Sequence, residues 1–130
     1  MFKTGIPYTR TEIQKLIGGG EIQSYLPQRK GLILAGCFSA EMNPDAPSII
    51  QAGKLPKVKA KAELLSRQPK TIFPVFLKAK MSSRDYLFQG YFKFKGITNT
   101  EAAIAEAELR SGRHGELAYV IHLNRTELIS

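Results

Sequence analysis

A chain of 130 residues with 43% apolar and 23% charged side chains has the size and composition of one domain, placed at residues 1–130, around one hydrophobic core. No apolar run approaches the ~20 residues of a membrane helix, and the opening MFKTGIPYTRTEIQK has no secretory h-region, so no membrane partner and a cytoplasmic location are expected. One cysteine, Cys37, excludes an intrachain disulfide and a multi-cysteine zinc site, leaving a formal charge of +8 as the feature to explain.

Thr9-Arg10-Thr11-Glu12 has the form of a capping box, and Ile13, Leu16 and Ile17 follow at helical spacing, which predicts a helix over about residues 10–17. Gly18-Gly19-Gly20 ends it, because glycine enters the left-handed region without a Cβ clash. The three glycines lack the Lys-Ser/Thr of a phosphate loop and the spacing of a GxGxxG turn. A hairpin is expected next, with strands over residues 22–26 and 32–38 around a polar turn at 27–31. Asn43-Pro44-Asp45-Ala46-Pro47 reads as a rigid irregular loop, since each proline fixes φ and removes a donor. A short strand over 48–53 follows, and residues 54–68 carry both strand-like alternation and good helix formers, so either element is open there.

Residues 72–80 and 85–95 read as two strands joined by the turn Met81-Ser82-Ser83-Arg84. Alternation puts Phe73, Val75, Leu77 and Ala79 on one face of the first strand, and Phe76, Lys78 and Lys80 on the other. Gly90, in mid-strand, marks a bulge or a close backbone approach. A capping box at Thr98-Asn99-Thr100-Glu101 opens an Ala- and Glu-rich helix of about 99–111, and Leu117, Tyr119, Ile121 and Leu123 alternate as a last strand over 116–123.

The charge is local. Residues 54–95 hold eleven of the nineteen basic groups against only Glu63 and Asp85, so the rest of the chain is close to neutral. A clustered positive potential attracts polyanions, of which nucleic acid is the commonest cytoplasmic example. As an antiparallel hairpin, 72–80 and 85–95 would present Phe76, Lys78 and Lys80 beside Tyr91, Lys93 and Lys95, with Arg84 at the turn. Lysines neutralise phosphates at any sequence, and an aromatic face stacks on an unpaired base. The competing reading makes Phe76 and Tyr91 core residues and the lysines guards of a strand edge.

The series of capped helix, glycine stop, YLP segment, NPDAP loop, Pro74-Val-Phe-Leu-Lys78 and Tyr86-Leu-Phe-Gln-Gly90-Tyr91 resembles the small PUA-like modules, the superfamily of EVE, ASCH, YTH and SRA domains. The P-V-F and Y-x-x-x-G-Y strands are similar to accessory modules found beside restriction endonucleases. The resemblance implies a curved, mostly antiparallel β-sheet or small barrel with two flanking helices, in the α+β class. It also implies a reader of a modified or flipped base of DNA or RNA, working with a nuclease or other effector, rather than a catalyst. It makes Tyr91 and Tyr86 pocket candidates, with Phe38 a further stacking surface, while the absence of tryptophan departs from the cages of methyl-base readers. Asn43 and Asp45 are placed to read a base edge, or else to close Asx turns.

Catalytic signals are sparse. His114 and His122 match no tight metal spacing, Cys37 sits in an apolar strand where only His122 is a reasonable base, and no carboxylate pair has nuclease spacing. No metal or cofactor is expected. Two alternatives stay open: a protein-interaction module, in which residues 96–130 pack on the basic region of a second copy as a homo-oligomer, and a small enzyme acting on nucleic acid.

Overall fold

The computed structural model describes residues 2–128. Pro7–Thr9 forms β1, and Thr9 then turns the chain into α1 (Arg10–Ile17). The Thr9 hydroxyl accepts from the Glu12 amide at 3.2 Å, and the Glu12 carboxylate accepts from the Thr9 amide at 2.9 Å, which is the expected capping box. Gly18, at φ +86°, ends the helix.

The strand expected over 22–26 does not form. Two of its carbonyls are taken by side chains instead, that of Ser24 by Arg10 and that of Leu26 by Lys61, and the Tyr25 carbonyl accepts from the Cys37 amide. The hairpin is therefore short, β2 (Gln28–Arg29) with β3 (Leu32–Ile33). Lys30 and Gly31 at its turn have φ of 53° and 83°, the mirror-image geometry that suits the twist of antiparallel strands. After a break at Leu34 and Ala35 the chain resumes as β4 (Gly36–Ser39), and the 43–47 loop leads to β5 (Ile49–Gly53). Residues 54–68 resolve mainly into α2 (Pro56–Ser66), whose first position takes proline because that amide has no helical acceptor. β6 (Phe73–Lys78), β7 (Asp85–Thr98), α3 (Glu101–Ser111) and β8 (Leu117–Thr126) complete the chain, close to their expected positions.

The described residues form an α+β fold with three helices and a six-stranded mixed sheet in the order β4-β6-β7-β8-β5, and β1 beside β7. Every pair is antiparallel except β4 with β6, and the sheet is not closed into a barrel. Gly90, at φ +112°, forms the expected bulge: Val75 faces Gly90 while Phe76 faces Phe88, leaving Gln89 unpaired.

The sheet is buried on both faces. One core gathers Phe38, Ile50, Leu65, Phe73, Val75 and Phe92 beneath α2, and another gathers Tyr8, Ile13, Cys37, Phe76, Tyr86 and Phe88 beneath α1. Phe76 is 0% exposed, with its ring 4.9 Å from Phe2 and 5.6 Å from Phe88. The outward Phe76 surface expected of the hairpin is therefore absent, because β1 and α1 fold over that face. Burying such a ring stabilises the fold by about 1.5–3 kcal/mol.

Candidate functional site

β4 and β5 are the two margins of the sheet, and a single side chain ties them together. The Asn43 Nδ2 donates to the Ser39 carbonyl at 3.1 Å, and its Oδ1 accepts from the Gln51 amide at 2.7 Å. Between the margins opens a cleft of about 950 Å3, mostly apolar in its lining.

Its walls carry three aromatic residues, Tyr25, Phe38 and Tyr86. The Tyr25 and Phe38 rings lie 6.4 Å apart, and the Tyr25 hydroxyl donates to the Val58 carbonyl at 2.6 Å, which anchors the ring to α2. Burial pushes both tyrosine hydroxyls above their ordinary range, so at neutral pH they are protonated. At the rim stand Ile22, Leu55 and Met81, which are among the most exposed large apolar side chains of the molecule.

Five cations, Arg10, Lys54, Lys78, Arg84 and Arg113, line this cleft against one carboxylate, Glu116. Lys78 holds its ammonium 5.3 Å from the Tyr86 ring centroid and donates to the Met81 carbonyl at 2.9 Å. Arg10 is held by the Glu21 and Ser24 carbonyls, with its Nη1 buried and without a partner. Arg113 donates through Nη1 to the Gln51 carbonyl at 3.0 Å and the Met42 carbonyl at 3.4 Å, and its Nε lies 3.7 Å from Glu116. Desolvation pulls Arg113 below the usual arginine range, and Glu116 only partly opposes it. Cations held mainly by neutral carbonyls keep most of their field for an incoming anion.

Phe38, Asn43, Lys78, Arg84 and Tyr86, all expected from the sequence as site residues, line this one cleft. The others lie elsewhere. Lys80, Lys93 and Lys95 are exposed outside it, and Tyr91 is half-buried with its ring edge-on to Phe88 at 5.4 Å. Asp45 is engaged by Arg110, which donates from Nε at 2.6 Å and also from Nη2, and the carboxyl is held below its ordinary range by that partner. Asn43, 7% exposed, spends its carboxamide on the two sheet margins, so its place is structural. Arg10, Tyr25, Lys54 and Arg113 are cleft residues that the sequence did not single out. Arg10 reads there as part of a helix cap, and Arg113 as part of a solvated Ser-Gly-Arg-His-Gly turn.

Cys37 also touches the cleft but is only 5% exposed, and burial pushes its thiol up to about 11. His122 sits on β8 opposite Ile49 and Gly96, outside the lining, so a Cys37–His122 nucleophile pair is not assembled. Among the described residues no group of three or more His, Cys, Asp and Glu side chains converges on a metal position, and no helix is long and apolar enough to cross a membrane. Comparison with protein-family models, curated proteins and solved structures finds no match to this chain.

Proposed function

We propose that the cleft binds nucleic acid in the manner of a PUA-like module, as a non-catalytic reader that seats one unpaired or flipped base of DNA or RNA. The observation that carries this reading is the pairing of an aromatic wall with five cations against a single carboxylate. Tyr86, Tyr25 and Phe38 supply the stacking surface, worth about 1–3 kcal/mol per base. Arg84, Lys78 and Arg10 receive backbone phosphate, a term that does not depend on sequence. The mostly antiparallel sheet with helices on both faces is in keeping with the resemblance, and the gap between its margins supplies the concavity a base requires.

Fluorescence anisotropy with single-stranded and duplex DNA and RNA oligonucleotides, across a salt series, tests the proposal. With three to five phosphates neutralised, the slope of log affinity on log salt is about −2 to −4. Arg84→Glu and Lys78→Glu each weaken binding by tenfold or more, and Lys93→Glu and Lys95→Glu, outside the cleft, weaken it less. Affinity indifferent to salt, or equal losses from all four substitutions, would overturn this placement of the ligand.

A further inference from the structure

The cleft cations fall into two sets. Arg10, Lys78 and Arg84 belong to the end formed by α1 and the β6–β7 turn: Lys78 lies over Tyr86, while Arg10 and Arg84 share an adjoining shallow depression with Glu12. Lys54 and Arg113 belong to the β5 end, where Arg113 reaches the Gln51 carbonyl and the Lys54 amide donates to the Glu116 carbonyl. Tyr25 and Phe38 link the two ends: the Tyr25 carbonyl accepts from the Cys37 amide at 2.8 Å, and its ring lies beside Phe38.

Neither set is neutralised from within the cleft. Arg10 has only carbonyl acceptors, and Arg113 adds to its two carbonyls a loose approach to Glu116, whose side chain is 61% exposed. Glu12 shares the adjoining depression with Arg10 and Arg84 and has an oxygen committed to the Thr9 amide, and Glu41 has an oxygen committed to the amide of Met81, whose carbonyl Lys78 holds. Each end therefore has room for its own anion, with an aromatic middle between them. The volume, about 950 Å3, lies at the upper end of the ~300–1,000 Å3 range of small-molecule pockets, more than a base with one phosphate demands.

A mononucleotide, or the end of a strand, offers phosphate on one side of its base only, whereas a nucleotide inside a strand offers it on both. We infer that the cleft takes an internal nucleotide of an unpaired strand segment, with its 5′ phosphate at one cationic end and its 3′ phosphate at the other. This rests on the nucleic-acid reading proposed above and specifies its ligand.

Isothermal titration calorimetry with the whole chain tests it, using each of the four nucleoside 3′,5′-bisphosphates and the matching 5′- and 3′-monophosphates, with an oligonucleotide as reference. For the preferred base, the bisphosphate binds at least tenfold more tightly than either monophosphate. Arg113→Gln abolishes the advantage over one monophosphate and Arg84→Gln the advantage over the other, while Lys93→Gln changes none of them. Arg113→Lys, which keeps the charge and loses the forked donors, retains part of the advantage and serves if the glutamine variant fails to fold. A bisphosphate no tighter than the better monophosphate, in a protein that still binds the oligonucleotide, overturns the two-ended ligand and leaves the proposed function standing. Failure to bind any oligonucleotide overturns both.

Discussion

Replacing Asn43 with alanine removes the only side chain among the described residues that joins the two margins of the sheet through hydrogen bonds to both. The Gln51 amide, on a residue 5% exposed, then loses its acceptor at 2.7 Å, and an unsatisfied buried donor costs about 1–3 kcal/mol. The Ser39 carbonyl is less affected, since it keeps the Asn43 amide at 3.0 Å, so the second lost bond costs about 0.5–1.5 kcal/mol. Together these give about 2–4 kcal/mol, which for a chain of this size corresponds to a fall in melting temperature of about 6–14 °C. Urea denaturation and a thermal melt measure the loss, and oligonucleotide affinity is measured well below the new melting point. Asn43→Asp keeps the acceptor but turns a carboxylate oxygen toward the Ser39 carbonyl, so it destabilises at neutral pH and recovers in acid as that carboxyl takes up a proton. An Asn43→Ala protein with an unchanged melt and no oligonucleotide binding would refute the structural role and return Asn43 to the base edge.

Three further outcomes follow from burial and charge. Phe76→Ala lowers stability by about 3–5 kcal/mol, read as a shifted urea midpoint with an unchanged slope, and a loss under about 1 kcal/mol would mean that the ring faces solvent after all. Cys37, with its thiol pushed up to about 11 by burial, resists a thiol-specific disulfide reagent at neutral pH and reacts once urea unfolds the chain; immediate full labelling of the folded protein contradicts its placement. Arg110 holds the Asp45 carboxyl below its ordinary value, so the folded state binds fewer protons there than the unfolded chain. The contribution of this pair is complete above about pH 4 and disappears as pH falls through the folded value, so Asp45→Asn flattens the acid limb of the stability curve, and superimposable acid limbs would refute it.

What could be read from the sequence was set by how far each signal reaches along the chain. Caps and glycine stops act within one turn, so α1 was legible with its capping box and α3 in its extent and glycine stop. The cap of α3 is the Thr100 hydroxyl, which accepts from the Ala103 amide, and not the expected Thr98–Glu101 box. Alternation over β6 and β7 sufficed for their pairing and for the bulge at Gly90. Alternation also misled, because dividing a strand into an inner and an outer face assumes that one face meets water. Here Val75 and Phe76 are both 0% exposed, and the segment that covers Phe76 lies some sixty residues earlier, in β1 and α1. Lys54 to Gln68 was ambiguous because Lys57, Lys59 and Lys61 alternate as in a strand while Ala60 to Arg67 are good helix formers, and the decision rests on the packing of Ala62 and Leu65. At the cleft, Phe38, Lys78 and Tyr86 were found because they lie on strands with readable patterns. Arg113 comes from the turn after α3 and Arg10 from α1, and only the three-dimensional approach of β5 to β4 puts them in one cavity.

The double burial of the central hairpin also bears on how the chain comes apart. Val75 and Phe76 are neighbours along β6, yet one belongs to the core under α2 and the other to the core under α1. No motion that frees one of these layers can leave the strand between them undisturbed, so the two layers share one fate. Fluorescence from tyrosines in either layer, with Tyr8 and Tyr86 on one side and Tyr25 and Tyr119 on the other, should therefore follow the same transition as the far-ultraviolet signal, the mark of a single cooperative unit.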